Sequence, residues 1–308
     1  MRVLAPYSAE IYRINLQPLY DYFISKGDEI IYTTTANNWD VVDPKPDLVI
    51  TNQAWWQIEH EVGLQARTAG IPHVTIEHGA PMFYQGGPQY YRREIGAADA
   101  KCLWGQHNFD MMRRYKCQPE KLHITGYPRL DRLLDFQPQS NSVPRILFLG
   151  TWKIPGKIFE VWQKVLEQAK ALGYQVAFKP HPNEATRGVL MNQEYLPDWV
   201  EIVTGENLYE EVARSDAVIT SPTSVLIPIF YYQKPVYSYY PWWQKGMFQF
   251  QRTFQLPCVG KNKLDLEKMV QCGVNRDQYR KHFEYTGFKS DGRNRERVYQ
   301  LCQKLVNG

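Results

Sequence analysis

Residues 145–182 have the sequence RILFLGTWKIPGKIFEVWQKVLEQAKALGYQVAFKPHP, and this stretch decides the predicted fold. It begins with a short apolar run, RILFLGTW, which predicts a β-strand. Residues 158–172 then carry apolar side chains at helical spacing, and Gly173 ends the predicted helix. A second apolar run, YQVAFKPHP, predicts another strand. A strand–helix–strand order is typical of a parallel sheet covered by helices.

The same alternation continues on both sides of this stretch. Upstream, RVLAP, DEIIYTTT, PDLVITN and IPHVTIEHG predict strands, and IYRINLQPLYDYFISKG predicts an amphipathic helix. Downstream, VEIVTG, DAVITSPTS and KPVYSYY predict strands, whereas NLYEEVAR, VLIPIFYYQ and residues 294–306 predict helices. Between the two cycles, residues 135–145 (DFQPQSNSVPR) have the composition of a linker. We therefore predict an α/β protein with two doubly wound, Rossmann-like domains, 1–137 and 138–308, with the last helix able to pack back on the first domain.

Polar side chains cluster where the predicted strands stop. Ligands of doubly wound sheets bind beyond the carboxyl ends of the strands, so these positions are candidate site residues. They comprise two imidazoles, two cations and four hydroxyls: His78, Arg129, Thr151, Lys179, His181, Ser221, Thr223 and Ser224.

The turn Ser221-Pro222-Thr223-Ser224 precedes a predicted helix, where free N–H groups and hydroxyls suit a phosphate. Ordinary helix capping is the alternative interpretation. Lys179 and His181 lie on the same side of an extended chain, which indicates a pyrophosphate contact or else a solvated turn.

His78 follows a predicted strand tip and is a candidate general base, because the pKa of an imidazole lies near working pH. A structural role is the alternative for a histidine considered alone. The neighbouring Glu77 is a candidate to orient the ring.

Composition and charge exclude several classes of protein. The formal net charge of +4 is mild, which suits a polyanionic substrate without indicating a nucleic-acid-coating protein. Five cysteines with no Cys-x-x-Cys pair indicate neither a disulfide framework nor structural zinc. No metal-ligand spacing and no glycine-rich nucleotide fingerprint occur, so we expect neither a metal ion nor a cofactor. Without a signal peptide or a long apolar run, we expect a cytoplasmic protein, with peripheral membrane association left open.

The ordered motifs TIEHGAP, HITGYPRLDRL, ILFLGTW, FKPHP, SDAVITSPTSVLIPIFYYQKPVYSY and DGRNRERV resemble the CDP-glycerol glycerophosphotransferase family, which includes teichoic-acid polymerases and has relatives among capsule-polysaccharide transferases. The likeness covers about residues 74–298. It implies a GT-B fold, in which an acceptor-side N-terminal domain and a nucleotide-donor-binding C-terminal domain face each other across a cleft.

The resemblance also implies roles for the candidate residues. His78 matches the proposed general base, and His181 matches a second functional histidine that contacts the donor phosphates. Arg129 lies in the hinge-side motif at the end of the first domain, and Thr151 lies in a phosphate-side loop. Ser221, Thr223 and Ser224 match the phosphate turn, with Lys179 expected beside it.

The resemblance predicts a metal-independent transferase that moves a glycosyl or glycerophosphate group from a nucleotide-linked donor to an acceptor hydroxyl. Pro228 stands where the family carries an acidic residue that binds ribose, so the donor nucleotide stays open. Three alternatives also stay open: a sugar-nucleotide 2-epimerase, a DNA-modifying glycosyltransferase and a non-catalytic glycan-binding scaffold. The epimerase requires acidic residues that do not stand out at the strand ends, and DNA binding lacks a recognition motif.

Overall fold

A computed structural model describes residues 1–8, 10–34, 44–52, 57–78, 92, 95–150, 155–181, 196–205, 207–238, 264–271 and 274–308. The chain divides into two compact units. The first unit comprises Met1–Leu134 together with Glu284–Gly308, and the second comprises Asp135–Phe283. The first unit is therefore built from two separate segments of the chain.

Within the described residues, the strands are β1 (Arg2–Pro6), β2 (Glu29–Thr33), β3 (Leu48–Asn52), β4 (His73–Ile76), β5 (Ala100–Leu103), β6 (Leu122–Ile124), β7 (Arg145–Leu149), β8 (Gln175–Lys179), β9 (Glu201–Ile202), β10 (Ala217–Thr220) and β11 (Val236–Ser238).

The α-helices in the same ranges are α1 (Glu10–Ser25), α2 (Gln57–Thr68), α3 (Gln106–Arg114), α4 (Pro155–Leu172), α5 (Leu208–Arg214), α6 (Leu226–Tyr231), α7 (Leu266–Gln271), α8 (Arg276–Gly287) and α9 (Asn294–Asn307). Two 3-10 helices are also present, at Pro119–Lys121 and Pro128–Asp135.

The first unit contains a parallel sheet with the strand order β2-β1-β3-β4-β5-β6. All five residues of β3 are buried, as expected for a strand covered on both faces. At the end of the chain, α9 packs on α1, where the rings of Phe23 and Tyr299 lie 4.8 Å apart, centroid to centroid. The chain order reverses between β1 and β3, which makes the carboxyl ends of these strands the expected binding position.

The second unit contains a parallel sheet with the strand order β11-β10-β7-β8-β9, and its order reverses between β7 and β10. In helix α4, the apolar residues at helical spacing form the buried face: Trp162, Val165 and Ala169 are fully buried. The helix is followed directly by Gly173, whose φ of 68° suits a residue without a side chain. The indole of Trp162 meets the ring of Phe148 edge-on, with centroids 5.0 Å apart.

These two parallel sheets confirm the predicted α/β architecture. Between β6 and β7, Pro128–Asp135 forms a 3-10 helix, which the sequence pattern does not indicate. The structure also contains α7 and α8, which the sequence pattern did not indicate.

Candidate functional site

His78 lies two residues beyond β4, at the carboxyl edge of the first sheet, as the sequence predicts. Its Nδ1 lies 3.5 Å from the side-chain nitrogen of Asn15, which comes from α1. Arg129 Nη1 donates a hydrogen bond of 2.7 Å to Oδ1 of the same Asn15. Two of the predicted site residues, His78 and Arg129, are therefore brought together through a third residue that sequence reasoning missed.

A buried carboxyl group lies at the same edge of the sheet. Glu59, in the first turn of α2, is fully buried, and its Oε1 accepts hydrogen bonds from the backbone N–H of Ser8 at 2.9 Å and its hydroxyl at 2.8 Å. Ser8 follows β1 and α2 follows β3, so this contact spans the point where the strand order reverses. Burial raises the pKa of Glu59 above its ordinary value. A glutamate in a first helical turn is a common feature, which explains why the sequence alone did not single it out.

Glu77 does not play the part suggested for it. Its carboxylate lies 3.0 Å from Lys101 Nζ, and both side chains are almost completely buried. Its carbonyl accepts a 2.6 Å hydrogen bond from the indole N–H of Trp104. Successive residues of an extended chain point to opposite faces, so Glu77 and His78 are directed away from each other. The side chain of Asn15 lies beside the His78 ring.

The motif that contains Arg129 also fastens the end of the chain to the first unit. Asp131 is buried, and its carboxylate accepts hydrogen bonds from the backbone N–H groups of Asn294 (2.9 Å) and Arg295 (3.0 Å) at the start of α9. Arg295 adds a side-chain ion pair of 3.0 Å. Gly126 has a φ of 77°, and a Cβ there would lie 2.0 Å from Asn294 Oδ1. The quoted motifs HITGYPRLDRL and DGRNRERV thus form one structural contact.

In the second unit, Lys179 is the last residue of β8 and His181 lies two residues beyond it, beside the reversal point of the sheet. Lys179 Nζ donates hydrogen bonds to the carbonyl of Gly205 at 2.6 Å and to Asn207 Oδ1 at 3.0 Å. These contacts fix the position of the ammonium group next to the strand end. Burial lowers the pKa of His181 to about 4, so the imidazole is neutral at pH 7.

Of the remaining residues predicted to contact phosphate, Ser224 lies within the described residues. Thr151, Ser221 and Thr223 lie outside the described residues. Ser224 is described, and it stands in the turn before α6, where its carbonyl accepts a hydrogen bond of 3.1 Å from Ile227 N. Pro228 is buried within α6.

Two features are absent from the described ranges. No group of three or more His, Cys, Asp and Glu side chains there is arranged to hold a metal ion. Within the same part of the chain, no helix has the length and apolar character needed to cross a membrane.

The chain is similar to known proteins over most of its length. A family model described as CDP-Glycerol:Poly(glycerophosphate) glycerophosphotransferase matches residues 106–304, which confirms the family predicted from the motifs. No curated protein matches the chain.

Several solved structures share the fold. MnaA from S. aureus, in a co-structure with UDP, is 14% identical, with 99% of this chain and 97% of that chain covered and a TM-score of 0.68. A variant of the wall teichoic acid polymerase TagF is 14% identical, with coverages of 100% and 89% and a TM-score of 0.69. The UDP-GlcNAc 2-epimerase of Methanocaldococcus jannaschii, in complex with UDP-GlcNAc and UDP, is 14% identical, with coverages of 99% and 100% and a TM-score of 0.67. These similarities confirm the GT-B fold class, and at such identities they show the fold alone.

Proposed function

Because the chain belongs to the CDP-glycerol:poly(glycerophosphate) glycerophosphotransferase family and is a transferase with a nucleotide-linked donor, we propose that it moves a glycosyl or glycerophosphate group to an acceptor hydroxyl. The acceptor is a cell-surface polysaccharide or a similar glycan, and the net charge of +4 suits a polyanionic one. The observation that carries the proposal is the contact of His78 with Asn15 and, through it, Arg129 at the carboxyl edge of the first sheet.

His78 acts as the general base on the acceptor. The hydroxyl gives its proton to the imidazole while its oxygen forms a bond to the phosphorus of a glycerophosphate or to the anomeric carbon of a sugar. The bond between the transferred group and the departing nucleotide breaks, and the nucleotide phosphate keeps the electron pair.

The second unit holds the donor phosphates. Lys179 supplies a positive charge fixed by Gly205 and Asn207, and neutral His181 supplies a hydrogen bond rather than a charge. Thr151, Ser221, Thr223 and Ser224 complete the phosphate contacts in this proposal. Fixed donors of this kind stabilise a departing phosphate, and for that reason we propose a reaction without a metal ion.

A nucleotide-binding screen tests the donor side. The thermal stability of the wild type is measured with CDP, UDP, GDP, CMP and ADP, and repeated on His181→Ala, with His123→Ala as a matched control outside the proposed site. A nucleotide at 100 times its dissociation constant stabilises the fold by about 2.7 kcal/mol. We expect one nucleotide to stabilise the wild type and the control fully, and His181→Ala only about half as much, as for a tenfold weaker dissociation constant. If no nucleotide stabilises the wild type, the transferase proposal fails and a non-catalytic scaffold replaces it.

A transfer assay tests the reaction and the metal. The nucleotide identified in the screen is supplied as its glycerol or sugar conjugate with glycan acceptors, in the presence and absence of EDTA. We expect product formation at the same rate in both conditions. A loss of activity in EDTA that magnesium restores would contradict the metal-free reaction while leaving the transferase assignment in place.

An epimerase is the second candidate, and one observation favours it. Glu59 is a buried acid with a raised pKa at the carboxyl edge of the first sheet, and an acid of this kind was missing from the sequence interpretation. Two of the similar folds are MnaA and a UDP-GlcNAc 2-epimerase. Incubation with UDP-GlcNAc and no acceptor separates the two functions, because only an epimerase converts the nucleotide sugar under these conditions.

We place the reaction in the cytoplasm. Cys102 and Cys302 are buried free thiols, which suits a reducing compartment. Fractionation of cells that produce the protein tests this placement and any peripheral association with membranes.

A further inference from the structure

The amide of Asn15 has only one orientation that fits both of its neighbours. A guanidinium group has donors and no acceptor, so the Asn15 atom that lies 2.7 Å from Arg129 Nη1 is the carbonyl oxygen Oδ1. The other arm of the amide is then the NH₂ group, which is a donor, and it lies 3.5 Å from Nδ1 of His78. An atom that faces this donor accepts a hydrogen bond only if it carries a lone pair.

From this geometry we propose that Arg129 and Asn15 are positioning residues that hold neutral His78 with its proton on Nε2, so that Nδ1 receives the proton of the acceptor. This inference rests on the proposed transferase function, and it adds the identity of the reacting nitrogen and the two residues that select it.

Asn15 is itself held firmly enough to direct the ring. It is 8% exposed, and the hydroxyl of Tyr127 donates a 3.4 Å hydrogen bond to its backbone carbonyl. Tyr127 and Arg129 come from the same short segment before and within the 3-10 helix Pro128–Asp135. One of them therefore fixes the backbone of Asn15 and the other fixes its amide.

The long contact of 3.5 Å leaves room for a substrate to take part. An acceptor hydroxyl entering here donates its hydrogen to Nδ1 and accepts a hydrogen bond from the NH₂ group of Asn15, which fixes the direction of attack. Such contacts are often long in the free enzyme and shorten when substrate binds. A proton on Nδ1 before the acceptor arrives would face the NH₂ group, with the guanidinium of Arg129 behind it.

The charged and titratable groups around this edge of the sheet can be told apart by the residues they bond to. Within the described residues, Arg129 and Tyr127 approach through Asn15, Glu59 is bonded to Ser8, and Glu77 is paired with Lys101. Replacement of Asn15 by aspartate is thus the change that brings a carboxylate to Nδ1. A carboxylate accepts a hydrogen bond where the amide donates one, and it remains compatible with Arg129.

The direct test is the tautomer of His78, measured by two-bond ¹H–¹⁵N spectra of the full chain labelled at histidine. The His78 signal is identified by its absence in His78→Gln. We expect the wild type to carry its proton on Nε2, and Asn15→Asp to carry it on Nδ1. Arg129→Met releases the amide of Asn15 and is expected to give a mixture of the two His78 tautomers. This second variant keeps the test informative if the first fails to fold. Asn275→Asp, the same change at an exposed position in the second unit, is expected to leave the signal unchanged.

Kinetics then connect the tautomer with the reaction. In Asn15→Asp we expect kcat/KM to fall by at least about 100-fold at the optimum pH of the wild type, since the reacting lone pair is lost. The acid limb of its pH profile is expected to move to higher pH, because a carboxylate stabilises the imidazolium. A wild-type proton on Nδ1, or a tautomer and pH profile that Asn15→Asp leaves unchanged, would overturn the inference. If the tautomers are as expected but no donor is turned over, the positioning role stands and the transferase proposal fails.

Discussion

The two candidate histidines follow strands at the carboxyl edges of different sheets, yet their surroundings act on them differently. His78 meets the amide of Asn15, whose direction Arg129 sets. The chemistry of His181 is dominated by burial, which lowers its pKa to about 4. In the first unit, hydrogen bonding specifies which ring nitrogen carries the proton. In the second unit, loss of solvent specifies that the ring carries no charge.

In the proposed reaction, similar positions in two Rossmann-like sheets have different tasks. A general base needs a defined lone pair, whereas a phosphate ligand needs a hydrogen-bond donor that keeps its geometry. Substitutions in each unit test this division of tasks between the two histidines.

The largest effect is expected from removal of the two imidazoles. His78→Gln is expected to lower the transfer rate by about 1000-fold with an unchanged donor dissociation constant, because the general base is lost. His181→Gln is expected to weaken donor binding by about tenfold, as for the loss of one hydrogen bond to a charged group. Initial rates and calorimetric titration with the donor nucleotide measure the two quantities. If both variants change the rate and the donor dissociation constant equally, His78 and His181 do not have separate tasks.

The next effect concerns the buried charges at the amino end of the second sheet. Arg145 begins β7, and its Nη2 lies 2.6 Å from Glu211 Oε2, with both side chains buried. Among the described residues, Arg145→Met leaves Glu211 with the partly exposed Arg214 as its charged partner, and we expect a loss of about 3 kcal/mol in the free energy of unfolding.

Urea denaturation followed by tryptophan fluorescence measures this loss. Arg280→Met removes an exposed ion pair in the same unit and is expected to change stability by less than about 0.5 kcal/mol. Similar losses in both variants would contradict the special role of the buried pair.

A smaller effect is expected where the first unit binds the start of α9. Asp131→Asn keeps the shape of the side chain but removes its charge, and we expect a loss of about 2 kcal/mol. The matched control is Asp265→Asn. The exposed carboxylate of Asp265 caps a helix by accepting a hydrogen bond of 3.0 Å from Lys268 N, and we expect its replacement to leave the free energy of unfolding nearly unchanged. Urea denaturation combined with hydrogen exchange of α9 distinguishes the two. Unchanged protection of α9 in Asp131→Asn would refute the anchoring role.

The smallest effect is a pH dependence that both units share. Burial lowers the pKa of His107 in the first unit and of His181 in the second to about 4, from an ordinary value of 6.5. The unfolded chain binds protons in this window and the folded chain does not, so stability falls as pH decreases from about 6.5 to 4. We expect His107→Gln and His181→Gln each to remove about 1 kcal/mol of the loss between pH 7 and about pH 5.7. Denaturation curves at the two pH values measure this loss. If the variants keep the full wild-type difference in stability between these values, the assignment is wrong.

Much of the fold was accessible from sequence because buried parallel strands are short apolar runs. The strands around Val74, Ile146 and Val218 were all predicted at the correct places, and so was the helix that carries Trp162. The strand ends then directed attention to His78, Lys179 and His181. Helix α8 was not predicted because its sequence, RDQYRKHFEYTG, is predominantly polar.

Asn15, which contacts His78, and the buried Glu59 at the same edge of the sheet were not accessible in the same way. Asn15 and Glu59 come from helices, and a residue in a helix interior carries no mark in the sequence that shows which strand end it reaches. Glu77 was a reasonable candidate because it adjoins His78, yet alternation along an extended chain sends it to Lys101 instead. Contacts between distant segments decided the site, whereas local patterns decided the elements.

The two-segment construction of the first unit has a consequence for the order of folding during synthesis. Residues 135–283 leave the ribosome as one continuous stretch and hold every strand of the second sheet, so this unit can fold while the chain is still growing. The first unit, although its strands are made earlier, lacks the helix that covers Phe23 and the N–H groups that satisfy Asp131 until residues 284–308 emerge. The unit synthesised first is therefore the one completed last.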